Sequence, residues 1–143
     1  MRKESMMLMV CILLTSCAKV QFVPSDLKPY LEQFEKETGL KVETDSFTFK
    51  ELTRPVIGQC DRMRWHITLD PLFWAETNEE KRVAVLWHEI GHCMLGLNHP
   101  SPAVMLGDCS GDIMNAVAPT RDCAEKHFNE LKNSFIKKYV MVK

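Results

Sequence analysis

From residue 26 onward the apolar positions fall first into a helical period, then into short extended runs, then back into helices. Leu27, Tyr30, Leu31 and Phe34 recur at spacings of three and four, which predicts a first helix. Ser25 or Asp26 can cap it, Pro29 falls in its first turn, and Gly39 supplies the stop. Residues 40–69 change character: Leu40–Val42, Phe47–Phe49 and Val56–Ile57 are short β-like runs between turn residues. Trp65–Leu69 is the clearest strand, with Trp65, Ile67 and Leu69 facing one way and His66 and Thr68 the other, and Asp70-Pro71 ends it. Thr77 followed by Glu80 reads as a capping box opening a helix that runs to about Leu95, where Gly96 suits a left-handed stop. Residues 96–120 show no period. A last helix begins near Asp122, with Glu125 completing a second capping box, and carries Ala124, Phe128, Leu131, Phe135 and Ile136 along one side. Trp65, Trp74 and Trp87 read as core, His66 as an exposed strand residue and His127 as a surface residue. The element order predicts an α+β fold.

The first residues are not part of that fold. Arg2 and Lys3 precede an apolar stretch, Met6–Leu14, far short of the ~20 residues that span a bilayer, so it reads as a signal peptide. It runs into Leu14-Thr15-Ser16-Cys17, which resembles the bacterial lipobox. That resemblance implies cleavage after residue 16, a lipid on Cys17, a tether over 17–25 and a folded domain over 26–143. It also implies an extracytoplasmic protein held on a membrane surface. Ala18 after the cysteine is similar to lipoproteins sent to an outer membrane, where the cell has one. The alternative is an ordinary secretory signal with a chance cysteine, which leads to the same side of the membrane. In that oxidising space Cys60, Cys93, Cys109 and Cys123 suggest two disulfides; of the three possible pairings, Cys60–Cys93 with Cys109–Cys123 is the expected one. A chain of 143 residues with a net charge of −1 has room for one domain and shows no basic stripe, which argues against nucleic acid as a partner.

The candidate chemistry lies in the long helix. His88-Glu89-x-x-His92 places two imidazoles four residues apart on one helical face, where both can reach a single ion, and sets Glu89 beside them. Val83, Leu86, Trp87, Ile90 and Met94 form the opposite stripe, so one face can enter a core while the other borders a cleft. A catalytic zinc needs a third protein ligand and an open fourth position. His99 is the best candidate, since Gly96 lets the chain turn back under the helix; Asp108, Asp112 and Glu125 are the acidic alternatives.

The stretch from His88 to Asn115 resembles the metzincin zinc proteases, whose pattern is His-Glu-x-x-His-x-x-Gly-x-x-His followed by a methionine-containing turn. Here the glycine comes one residue late, so Asn98 stands at the usual third-ligand position and His99 one further on, while the Gly-x-x-His half is intact. Asp112-Ile113-Met114-Asn115 is similar to the Met-turn, with Met114 beneath the metal site. The resemblance implies a small zincin-like domain built from a short mixed sheet, an active-site helix, a Met-turn and a C-terminal helix. It implies Zn2+ on His88, His92 and His99, with Glu89 as general base in hydrolysis of a peptide or protein substrate. The strand Trp65–Leu69 would then be the edge strand lining the substrate cleft. The competing reading is a non-catalytic zinc-binding lipoprotein, a binding or structural module.

Overall fold

Trp87 lies at the centre of the packing. It sits on α3 (Glu79–Met94), is 0% exposed, and meets Phe34 of α1 (Lys28–Thr38) edge-on at 5.2 Å between ring centres and Phe135 of α5 (Phe128–Phe135) at 5.5 Å. Such aromatic pairs add to the area they bury, because ring edges and faces carry opposite partial charge. Val83, Leu86 and Ile90 are buried on the same side of α3, as the helical period requires. The computed structural model describes residues 23–43 and 46–142; the expected signal peptide, Cys17 and most of the tether lie outside them. The described chain is a small α+β domain with a short mixed sheet and several helices.

The sheet is where the pattern misleads. Three strands, β1 (Ser46–Phe49), β2 (Gly58–Asp61) and β3 (His66–Leu69), lie in the order β1-β3-β2, with β1 parallel and β2 antiparallel to β3. Ile67 and Leu69 share the buried face as expected, but Trp65 does not join them. It takes a left-handed φ of 53° in the turn before β3 and is 42% exposed. β3 is also the central strand and not an edge. The edge that borders α3 is β2, in a stretch whose Gly-Gln-Cys-Asp sequence carries no apolar alternation. Leu40–Val42 and Val56–Ile57 form no strand. Val42 is buried at the end of a loop, its N–H donating to Glu35 Oε1 at 3.0 Å.

The helix ends also differ from expectation in their caps. A 3-10 turn, Ser25–Leu27, precedes α1, and neither Ser25 nor Asp26 caps that helix; Gly39 does end it, at φ 72°. Asp70-Pro71 ends β3 by starting a further helix, α2 (Pro71–Glu76), whose Phe73 N–H donates to Asp70 Oδ1 at 2.9 Å. That occupies Thr77 as the C-cap of α2, so Asn78 caps α3 instead, accepting from the Lys81 N–H at 3.3 Å. The last helix breaks at His127 into α4 (Arg121–Lys126), capped by Thr120, and α5, followed by a π-helical turn, Ile136–Val140. Between α3 and α4 lies a small hairpin of β4 (Met105–Leu106) and β5 (Cys109–Ser110). His127 is largely covered and pairs with Glu130 at 2.6 Å, so it is not a free surface residue. His66 is half-buried and contacts Ser46 Oγ across the sheet.

Both disulfides form as expected: Cys60–Cys93 joins β2 to α3, and Cys109–Cys123 joins β5 to α4. Two disulfides agree with an oxidising, extracytoplasmic compartment. No helix among the described residues is long and apolar enough to cross a membrane.

The two bridges close loops of different length, 33 and 14 residues of separation. Replacing both cysteines of the longer by alanine is expected to lower the unfolding free energy by about 4 kcal/mol, against about 3 kcal/mol for the shorter. Urea titrations of the two double variants measure this, and a larger loss from the Cys109–Cys123 pair contradicts the ordering.

Candidate metal centre

The face of α3 that turns away from Trp87 carries His88, Glu89 and His92. Gly96, at φ 66°, reverses the chain just past the helix, and Leu97 N–H donates back to the Gly91 carbonyl at 3.1 Å. Only a residue without a Cβ takes that conformation at no steric cost. The reversal carries His99 under the helix, and the three Nε2 atoms converge: 2.9 Å between His88 and His92, 3.0 Å between His92 and His99, 3.2 Å between His99 and His88. Asn98 points elsewhere, accepting from Arg62 at 3.1 Å, so the structure brings His99 into the cluster and leaves Asn98 out.

Two backbone carbonyls decide which nitrogens face inward. His88 Nδ1 lies 2.6 Å from the Ile113 carbonyl, and His92 Nδ1 lies 2.6 Å from the Leu97 carbonyl. A carbonyl only accepts, so each Nδ1 carries the proton and each Nε2 presents a lone pair to the centre. Two lone pairs 2.9 Å apart repel unless a cation or proton lies between them. Donors held tetrahedrally at a metal–nitrogen bond of about 2.0–2.1 Å stand about 3.3 Å apart, a few tenths of an ångström from what is seen. The group His88, His92 and His99 could therefore hold a metal ion. Burial, aided by the neighbouring His92 and His99, drives the His88 pKa down to about 4 against the pull of the Ile113 carbonyl. His92 is lowered too, chiefly by burial. Neutral imidazole is the form that binds metal.

The acidic candidates stay out. Asp108 is exposed in the β4–β5 turn and Glu125 is exposed on α4. Asp112 is buried, but its carboxylate accepts from the Met114 N–H at 2.8 Å, Lys138 Nζ at 2.8 Å and Tyr139 Oη at 2.9 Å. Those bonds hold the 112–115 turn, and with it the carbonyl that orients His88. Asn115 closes the same turn, its amide donating to the Val104 carbonyl at 2.6 Å and to Ser110 Oγ at 2.8 Å. Met114 is fully buried directly beneath Gly91, where an added Cβ would come within 2.6 Å of its sulfur.

Glu89 is 6% exposed, and its carboxylate has no hydrogen-bond partner among the described residues. Burial alone pushes its pKa up to about 8. It packs against Gly58 of β2, where a Cβ would lie 2.7 Å from its Oε1, so the edge strand approaches the helix this closely only because residue 58 is glycine. Pro55–Cys60 and the chain after Met114 form the walls of a cleft of about 600 Å3 that contains His88, Glu89, His92 and His99. The expected cleft strand, Trp65–Leu69, is not among its walls; β2 takes that place, because β3 is enclosed between its two neighbours.

Arg62 escapes a reading of the sequence, where it is one cation among several in a polar turn. Its Nη2 donates to the Leu97 carbonyl, the same oxygen that orients His92, and to Asn98 Oδ1. It thus clamps the segment that delivers His99. Outer contacts of this kind commonly carry 10- to 100-fold in metal affinity, so Arg62→Ala is expected to weaken binding of a divalent metal by roughly tenfold or more. Competition against a chromophoric chelator measures this, and an unchanged affinity removes the clamp.

Compared with known proteins, the chain matches no family model, no curated protein and no solved structure, so its function rests on these side chains alone.

Proposed function

We propose that the chain is a zinc-dependent endopeptidase of zincin type, with His88, His92 and His99 as the metal ligands and Glu89 as general base. The observation that carries the reading is the pairing of convergent Nε2 atoms with an unbonded, buried carboxylate in one open cleft. Three neutral imidazoles suit zinc, which when bound supplies Lewis acidity toward water and a carbonyl oxygen. Glu89 takes the proton of the attacking water and delivers it to the leaving amine. Partial desolvation raises the pKa of its carboxylate, which makes it the stronger base toward the proton of a water in the cleft.

A peptide substrate is favoured by β2. Its inner edge pairs with β3, and its outer edge, unpaired among the described residues, borders the cleft. An extended peptide can add there as a further strand, with its carbonyl brought toward the histidines. The resemblance of residues 88–115 to metzincins points the same way. A lipid on Cys17 would place this cleft at a membrane surface, outside the cytoplasm.

With the zinc-loaded protein and a diverse peptide library read by mass spectrometry, the wild type is expected to make cuts that Glu89→Ala does not, while both bind zinc equally. Stoichiometric zinc with no cuts from either protein leaves the non-catalytic zinc module in its place. For the anchor, Cys17→Ser is expected to abolish incorporation of a labelled fatty acid and to release the protein from the membrane fraction. Labelling that survives this change contradicts lipidation at Cys17.

A further inference from the structure

The cleft continues past the histidines along the N-terminal half of α3, and there it holds a cation. Lys81, Val85, His88 and His92 succeed one another at spacings of four, three and four, so they line one face of the helix. At 1.5 Å per residue, Lys81 stands about 10 Å along the axis from His88. The same cleft is lined by the apolar Ala84 and Val85 of the helix and by Ala118 and Pro119.

Lys81 is half-buried and no carboxylate pairs with it among the described residues. Its Nζ lies 5.7 Å from the centre of the Phe73 ring. Burial, together with the like charge of Arg121, holds its pKa below the ordinary lysine range. The next cation along the helix, Arg82, is committed away from the cleft to the Trp74 carbonyl at 2.7 Å. An ammonium partly stripped of water, with no counter-ion, on a side chain that lines the cleft, is a charge that a ligand carboxylate would complete.

We propose that Lys81 makes this arm of the cleft a receptor for a carboxylate on the bound peptide, and so sets substrate selectivity. The inference rests on the peptidase reading for its consequence, though carboxylate binding itself does not require turnover. The carboxylate comes either from an aspartate or glutamate side chain or from the free C-terminus of a short peptide.

The test uses the full zinc-loaded chain carrying Glu89→Ala, which binds without cutting, and fluorescent peptides that differ only in Glu, Gln or Leu at one scanned position. Each is made with a free and with an amidated C-terminus, and binding is read by anisotropy. At one position glutamate is expected to bind about tenfold more tightly than glutamine, the scale of one charge-assisted hydrogen bond. If the terminus is the group recognised, amidation causes that loss instead. Adding Lys81→Gln is expected to erase the preference, Lys81→Arg to keep it, and Lys81→Glu to reverse it toward basic residues. All three are helix-compatible changes, and equal zinc content and melting temperature show that the variants fold.

Glutamate and glutamine peptides bound equally at every position, with no effect of amidation, overturn the proposal. A preference that survives Lys81→Gln overturns it as well. Cleavage by the wild type without acid preference sinks this inference and leaves the peptidase standing. A Lys81-dependent preference in a protein that never cuts does the reverse.

Discussion

Helix α3 has to bury Trp87, and the period of the helix makes everything else follow from that. With Val83, Leu86, Trp87 and Ile90 committed to the core, His88 and His92 are turned toward the opposite side. The indole is gripped by Phe34 and Phe135 from two other helices, so the helix cannot rotate without tearing the core. A metal centre gains from this. Ligands on a helix whose rotation is locked meet an ion with little entropy left to lose.

Two further restraints bring in what α3 alone lacks. The Cys60–Cys93 bridge and the contact of Gly58 with Glu89 draw the edge strand onto the helix, which forms the cleft wall beside Glu89. The second restraint is a chain of hydrogen bonds. Lys138 and Tyr139 hold Asp112, Asp112 holds the backbone of Met114, and the Ile113 carbonyl in that turn orients His88. The π-helical turn Ile136–Val140 therefore reaches the histidine cluster through one buried carboxylate. On the other flank Arg62 and the Leu97 carbonyl do the same for His92 and His99. Each imidazole proton on α3 is thus assigned by a different loop.

The helices were legible because their signals are local. Pro29, Gly39, Gly96 and the stripe on α3 act through the backbone within a turn or two, and the structure keeps all of them. Caps were harder to read, because Thr77 and Asn78 are adjacent and both can cap; α2, formed just upstream, decided between them. The strands were read poorly. Trp65 fits the alternation of Ile67 and Leu69, but the turn needs a left-handed residue there, and that turns the indole outward. Gly58–Asp61 has no strand signature, and becomes a strand only because β3 offers it hydrogen bonds.

The sequence by itself determined the pair at the heart of the histidine cluster: a helix puts residues four apart on one face, so His88 and His92 had to converge, with Glu89 beside them. It also narrowed the cysteines to two bridges. Only the tertiary structure decided between Asn98 and His99, since a shift of one residue after Gly96 changes which side chain turns inward. It alone placed β2 rather than β3 on the cleft, and set Arg62, Asp112 and Lys81 around the site. These are contacts between residues far apart in the chain, fixed by packing and by which backbone groups remain to be paired, and no local pattern encodes them.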